Sequence, residues 1–409
     1  MTMQFRKKHK EMSRREFGQL LAAAAVAAAL PKPDENVQQT LPGPGPEAIA
    51  SLVGISRVSE EATLAEAVRM AAESITDFSW LSKGDSVLIK PTLNSGNPYP
   101  ATTNPTGIAA MVALLKEKGA GRVILSDMSG IEYVKLSPNG LEGSSRHLME
   151  NCGMAQTAVA AGAELYFPEE DGWDAFFEDG PASGSHWKAG IMMPEILKRV
   201  DHLILMPRCS RHILLGSTLG MKAAVGYWRT DTRLEYHHDA ATLQEKTAEA
   251  STVSSLRERQ RLVLTAATRT LATFGPDKGY ETWPEKGLVF ASDSIVAHDM
   301  VSLAWLLENR KLAPLPEKKG SSDPYTSQVI VGFGNRLVVK WLGGIGQALT
   351  SERLIRHDIN TIWDDRVLNR AYHLWNGVPR VNLINVNDTV PNDVRQNLAN
   401  MVSLPEASG

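Results

Sequence analysis

From Val87 onward, short runs of β-branched and aliphatic residues alternate with helix-length stretches, and this alternation restricts the chain to βαβ units built around a parallel sheet. Val87–Lys90 reads as a strand, residues 105–118 as a helix and Arg122–Asp127 as the next strand. Residues 145–161 then give a helix, Glu164–Phe167 a strand, Pro194–Arg199 a short helix and Asp201–Met206 a buried strand. Leu288–Ala291 and Ala297–Asn309 repeat the strand-then-helix order. Between these pairs, residues 256–274 read as a helix, and 240–255 as helix or loop. The expected fold is therefore α/β, a mostly parallel sheet flanked by helices in Rossmann-like layers. The segments Val329–Val339, Ser351–Asn376 and Val381–Val386 mix both patterns, which leaves residues 311–409 as a small subdomain or an extension of the sheet. The glycine clusters Gly332-Phe333-Gly334 and Gly343–Gly346 lack the strand-to-helix setting a dinucleotide needs and read as turns.

The first thirty residues follow different rules. Arg6, Lys7, Lys8 and Lys10 lead into Ser13-Arg14-Arg15-Glu16-Phe17, then an Ala-rich apolar run to Leu30 with small residues Ala27-Ala28-Ala29 before Pro31. That order is a twin-arginine signal peptide, with Arg14 and Arg15 as its motif. The run is shorter than the roughly 20 apolar residues that span a bilayer, so no permanent membrane span is expected. Residues 31–50, rich in Pro, Gly and polar side chains, read as a linker, and 51–310 as the α/β domain. The expected location is the periplasm or outside the cell, with the twin-arginine export machinery as a partner.

Composition narrows the function classes. The formal net charge is −3, and no Lys/Arg block lies beyond the signal, so a nucleic-acid partner is not expected. Cys152 and Cys209 are the only cysteines, too few for an iron–sulfur cluster or a thiolate zinc site supplied by this chain alone. An oxidising compartment permits a disulfide between them, but the surrounding segments favour two separate buried thiols.

Polar side chains fall at the carboxyl ends of the expected strands, where ligands collect in parallel sheets. Lys90 and Asn94 follow the first, Asp127 the second, Arg208 and His212 the strand ending at Met206, and Asp293 the strand ending at Ala291. Lys90, Asp127, His212 and Lys222 are the candidates for acid–base work, and Arg208 and Asp293 for ligand contacts. Thr102-Thr103-Asn104-Pro105 marks a helix start whose free N–H groups would seat a carboxylate or phosphate; the plainer alternative is that Asn104 only caps. Gly216-Ser217-Thr218 marks a second helix start, with Lys222 a turn inside it. His237-His238-Asp239 admits a divalent metal, although adjacent side chains diverge and at most one histidine faces a given site. The alternative has Asp239 capping the next helix and both histidines in solvent.

These residues also carry a family resemblance. Val87-Leu88-Ile89-Lys90-Pro91, Ala101-Thr102-Thr103-Asn104-Pro105, Leu114–Ala120 and Val123–Asp127 with Gly130 resemble the family of domain of unknown function 362. Leu197–Asp201, Pro207–His212, Gly216–Gly226, Arg233, His237 or His238, and Ala291-Ser292-Asp293 with Ala297 and Asp299 continue the resemblance. It spans about residues 85–305 and implies Arg233 as a further ligand contact. The chain departs from the pattern at Asn104, where the family carries histidine, at Arg208, where lysine is usual, and at Ala223, where asparagine follows the lysine. It also lacks the cysteine-rich ferredoxin-like insertion of many relatives, so no iron–sulfur role is implied. The layout is loosely similar to the nickel-pincer lactate racemase, with no motif matched residue by residue. Two functions remain open at this point: acid–base or metal-assisted chemistry on a small anion, or non-catalytic cofactor binding or maturation for a periplasmic redox system. The sequence specifies neither the cofactor nor the oligomeric state.

Overall fold

The computed structural model describes residues 41–314, 328–355 and 357–405. The expected signal peptide, with Arg14 and Arg15, and the first part of the expected linker lie outside the described residues.

Eight strands form one sheet: β1 (Pro44–Ser56), β2 (Ser86–Pro91), β3 (Arg122–Ser126), β4 (Glu164–Tyr166), β5 (His202–Met206), β6 (Gln260–Ala267), β7 (Lys286–Ser292) and β8 (Val378–Asn385). Their order across the sheet is β8-β1-β7-β6-β5-β2-β3-β4. Strands β6, β5, β2, β3 and β4 run parallel to one another, as does β8 to β1, whereas β7 is antiparallel to both β6 and β1. One strand, β7, therefore runs against the other seven.

The layers follow from period-two burial. Leu88, Leu203, Leu205 and Leu52 point into one core, while Val87, Ile89, Ile204, Met206 and Val53 point into another on the opposite face. The second core is covered by α1 (Glu60–Glu73) and α2 (Pro105–Glu117) and the first by helices that include α3 (Thr230–His238), α4 (Leu243–Ala250), α5 (Ile295–Arg310), α7 (Arg366–Leu374) and α8 (Asn392–Val402). A further helix, α6 (Gln328–Thr350), packs on α3. Helix α2 starts where the sequence indicates: Asn104 Oδ1 accepts from Thr106 N at 3.0 Å and Gly107 N at 3.3 Å, and Pro105 occupies a first-turn position that needs no N–H. It ends at Gly119, whose φ of 109° lies in the left-handed region.

Several expectations change. Residues 256–274 hold β6, not a helix, because Leu262–Ala267 is buried on both faces and a continuous apolar run has no period that separates strand from helix. The helix expected over 145–161 is broken into Ser145–Asn151 and Met154–Ala160 by Gly153 at φ 81°. Gly332 and Gly334 lie inside α6 rather than in a turn, while Gly344 at φ 86° does interrupt that helix. The chain joins the sheet at Pro44, within the segment read as linker. The C-terminal region contributes β8, so it extends the main sheet. Among the described residues no helix is long and apolar enough to cross a membrane.

Candidate functional site

The loops leaving β2, β3 and β5 converge at the carboxyl edge of the sheet, as do a short helical turn at Gly220–Ala223 and the start of α3. They enclose a cleft of about 50 Å³ lined by Thr92, Asn94, Asp127, Arg208, His212, Thr218, Lys222 and Arg233, among others. That space holds a few waters or one small anionic group.

The floor of the cleft is a buried ion pair. Lys90 Nζ lies 2.9 Å from Asp127 Oδ1, with the two side chains 1% and 3% exposed. Lys90 also donates to the Pro91 carbonyl at 2.7 Å, and Asp127 Oδ2 accepts from Leu93 N at 2.6 Å. Burial pushes the Lys90 ammonium down and the Asp127 carboxyl up, and each partner's charge opposes that shift in the other. Gly226 lets the backbone approach this pair: a Cβ there would fall 1.8 Å from Asp127 Oδ1 and 2.6 Å from Lys90 Nζ.

Above the pair, positive charge is in excess. Arg233 is anchored through backbone carbonyls, donating to Trp228 at 2.9 Å, Ser129 at 2.6 Å and Met128 at 2.9 Å. Arg208 is different. Its side chain is 1% exposed, and neither Nε, Nη1 nor Nη2 has a hydrogen-bond partner among the described residues. Burial lowers it to about 10, with distant Asp277 opposing. Asp277 itself accepts from Asn94 Nδ2 at 2.9 Å and Ser95 Oγ at 2.8 Å. The buried hydroxyls of Thr92 and Thr218 on the same cleft also lack partners among the described residues. Buried polar groups are nearly always paired, so such a concentration in one cleft marks a place for a polar ligand.

Lys222 is half-buried and has no hydrogen-bond or ion-pair partner among the described residues. Burial, reinforced by Arg233, Arg208 and Lys90, lowers its ammonium to about 7. Asp299 fixes the turn that carries it, accepting from Gly220 N at 2.7 Å and Met221 N at 2.9 Å. His298 bonds Asp299 through Nδ1 at 2.9 Å and Thr265 through Nε2 at 3.0 Å, which holds Asp299 in place beneath that turn.

The two candidate histidines of the cleft region have opposite roles. His212 Nδ1 accepts from Leu214 N at 3.2 Å and Leu215 N at 3.3 Å, so the ring proton resides on Nε2. Burial first, then Lys222 and Arg208, holds the ring neutral. His212 is thus a hydrogen-bond donor and not the proton acceptor or metal ligand that its position suggested. Asn335 Nδ2 donates to the His237 carbonyl at 2.8 Å, which assigns Oδ1 as acceptor from His237 Nδ1 at 2.9 Å and leaves the lone pair on Nε2. His237 is pushed down to about 3, chiefly by burial.

Other expected site residues separate from the cleft. His238 turns away, bonding Asp239 at 2.8 Å and Thr350 at 3.2 Å, and Asp239 pairs with Lys188 at 2.6 Å instead of capping. The two histidines share no metal set, and among the described residues no group of three or more His, Cys, Asp or Glu side chains is placed to hold an ion. Thr103 donates to the Met206 carbonyl at 2.7 Å and accepts from Thr92 N at 2.8 Å, and Thr102 donates to the Asn97 carbonyl at 3.1 Å. Both threonines lock the loop and leave no hydroxyl for a ligand, and Asn104 is engaged as a cap. Asp293 follows the reversed strand β7, so it lies at the other edge, in a hollow with Glu47, Gln260 and Trp375. The sequence reading missed the hydroxyls of Thr92 and Thr218 as cleft groups. Thr92 stands two residues after Lys90 at a strand end, and that position is its one sequence signal.

Cys152 and Cys209 are both free and buried, in cores on opposite faces of the sheet, each donating its thiol to a carbonyl.

The fold and cleft define an α/β protein with a buried cationic pocket at the carboxyl edge of a mainly parallel sheet. The chain belongs to the family described as Domain of unknown function (DUF362), whose profile matches residues 87–304, just over half of the chain. The match begins in β2 and ends in α5, so it contains every residue of the cleft named above. No curated protein matches the chain. Among solved structures, it is similar to the lactate racemase apoprotein from Thermoanaerobacterium thermosaccharolyticum, with 12% identity and a TM-score of 0.35, covering 58% of this chain and 52% of that one. The chain thus spans about half the length of that protein, and so distant a likeness says nothing of activity.

Proposed function

We propose that this protein is exported and binds a small oxyanion, a carboxylate or phosphate group, in the cleft between Arg208, Lys222 and His212. The observation that carries this reading is Arg208, a fully buried guanidinium whose donors have no partner among the described residues. Leaving such a group unsatisfied costs more than the roughly 1–3 kcal/mol of a neutral one, so an anion that supplies paired acceptors gains strongly. The Nε2–H of His212 and the hydroxyls of Thr92 and Thr218 add neutral donors. Net positive charge disfavours a divalent cation in the same space, which makes an anion the better fit than metal-assisted chemistry.

Binding is favoured over general acid–base catalysis by one further observation. Asp127 is committed to Lys90 and His212 presents a donor, so neither is a free base. A cofactor-binding or maturation role therefore fits the cleft at least as well as turnover of a substrate. Calorimetric titration with inorganic phosphate and with pyruvate tests the reading. One saturable site is expected, weakened about ten- to hundredfold by Arg208→Met, the worth of a charge-assisted hydrogen bond. Unchanged affinity in that variant would reject it. Export is tested separately: Arg14→Lys with Arg15→Lys should hold the precursor in the cytoplasm on cell fractionation, and normal periplasmic protein would reject the twin-arginine route.

A further inference from the structure

Among the described residues, Lys222 is the amine that lines the cleft. Lys90 has the same functional group, but its ammonium is fixed between Asp127 and the Pro91 carbonyl. The other histidine, His237, faces Asn335. Lys222 instead lines the cleft with its nitrogen free of partners among the described residues, on a turn whose amides Asp299 clamps. Its position is set closely: a Cβ at Gly220 would fall 2.6 Å from Asp299 Oδ1, so the clamp depends on glycine there.

We propose that Lys222 forms an imine with the carbonyl carbon of a small 2-oxo carboxylate whose carboxylate is seated on Arg208. This rests on the anion-binding reading above and names its ligand class. An amine beside a cationic carboxylate receptor is the arrangement that selects a 2-oxo acid over a plain carboxylate, because one end supplies charge recognition and the other the carbonyl. The chemistry balances without an oxidant. The neutral amine of Lys222 adds its electron pair to the carbonyl carbon, the C=O π pair passes to oxygen, and proton transfer from nitrogen to oxygen gives a carbinolamine. Loss of that hydroxyl with a proton, as water, forms the C=N bond, so amine and ketone give imine and one water. The Nε2–H of His212 provides a neutral hydrogen bond for the departing oxygen. Burial, reinforced by the cationic surroundings, favours the neutral amine near pH 7, where lysine in water is almost entirely charged.

The test uses the full mature chain with pyruvate and sodium cyanoborohydride, followed by intact mass measurement and peptide mapping. A single reduced pyruvate adduct on Lys222 is expected, lost in both Lys222→Met and Lys222→Arg, with melting curves confirming that each variant is folded. The adduct should also be suppressed by inorganic phosphate, which competes for Arg208 but has no carbonyl. Adduct formation spread over surface lysines and unchanged in Lys222→Arg would overturn the proposal. If calorimetry shows pyruvate bound and no hydride-trapped adduct forms on Lys222, the imine is rejected while anion binding stands. If pyruvate and phosphate both fail to bind, both readings fall.

Discussion

The two edges of the sheet offer opposite kinds of hollow. The carboxyl edge holds a tight cleft of about 50 Å³ with Arg208, Lys222, Arg233 and His212. The other edge holds a larger hollow of about 300 Å³ where Glu47 and Asp293 face Leu256, Ile295, Val296 and Trp375. Size would select the second. Chemistry selects the first, because the buried donors of Arg208 have no acceptor among the described residues, whereas Asp293 is exposed and Glu47 pairs with Arg380 at the surface. The contrast teaches that an unmet hydrogen-bond demand is a stronger sign of ligand binding than volume.

The comparison breaks most visibly at the cleft floor. Asp127→Ala leaves the buried Lys90 charge without its partner and should cost about 3–5 kcal/mol in urea unfolding, the usual penalty for halving a buried pair. A loss below about 1 kcal/mol would mean that Lys90 finds another partner and the floor is not as rigid as drawn.

Arg208→Met sharpens the contrast in the opposite direction. Removing a buried cation that has no partner among the described residues should raise the unfolding free energy in ligand-free buffer by about 1–3 kcal/mol while abolishing most anion affinity. Stabilisation together with lost binding is the signature of a residue kept for a ligand. A destabilised variant would show instead that the guanidinium holds the fold.

Lys222 makes the cleft sensitive to pH. Its ammonium is lowered from 10.5 to about 7 in the folded chain. Anion affinity should therefore fall as pH rises through 7, since the cation is lost. Stability should move the other way: between about 7 and 10.5 the unfolded chain binds a proton that the folded amine has released, so unfolding free energy rises with pH across that window. Titrations and melts of wild type and Lys222→Met over this range check both signs, and identical profiles would refute the assignment.

The smallest effect belongs to the far edge. Asp293→Ala, on the surface away from the cleft, should change stability by no more than about 0.5 kcal/mol and leave phosphate affinity unaltered. A change in affinity would place Asp293 back in the site.

The sequence by itself determined the layers and most of the cleft. Alternating aliphatic runs fixed β2, β3 and β5, and because parallel strands deliver their carboxyl ends to one edge, Lys90, Asp127, Arg208, His212 and Lys222 were legible as one region, while Arg233 came only from the family resemblance. Local rules also placed the Asn104-Pro105 helix start. Only the tertiary structure decided three things, each depending on partners far apart in the chain. The direction of β7 depends on pairing with β1 and β6, and its reversal carried Asp293 to the other edge. A central strand buried on both faces loses its period, so β6 looked helical until its neighbours covered it. The chemical state of each polar group depends on what it meets in space: Asp127 paired, His212 turned into a donor by two backbone amides, Thr102 and Thr103 absorbed by carbonyls, Arg208 left without a partner among the described residues. Residue type fixes which hydrogen bonds are available, and the fold alone decides which of them are already spent.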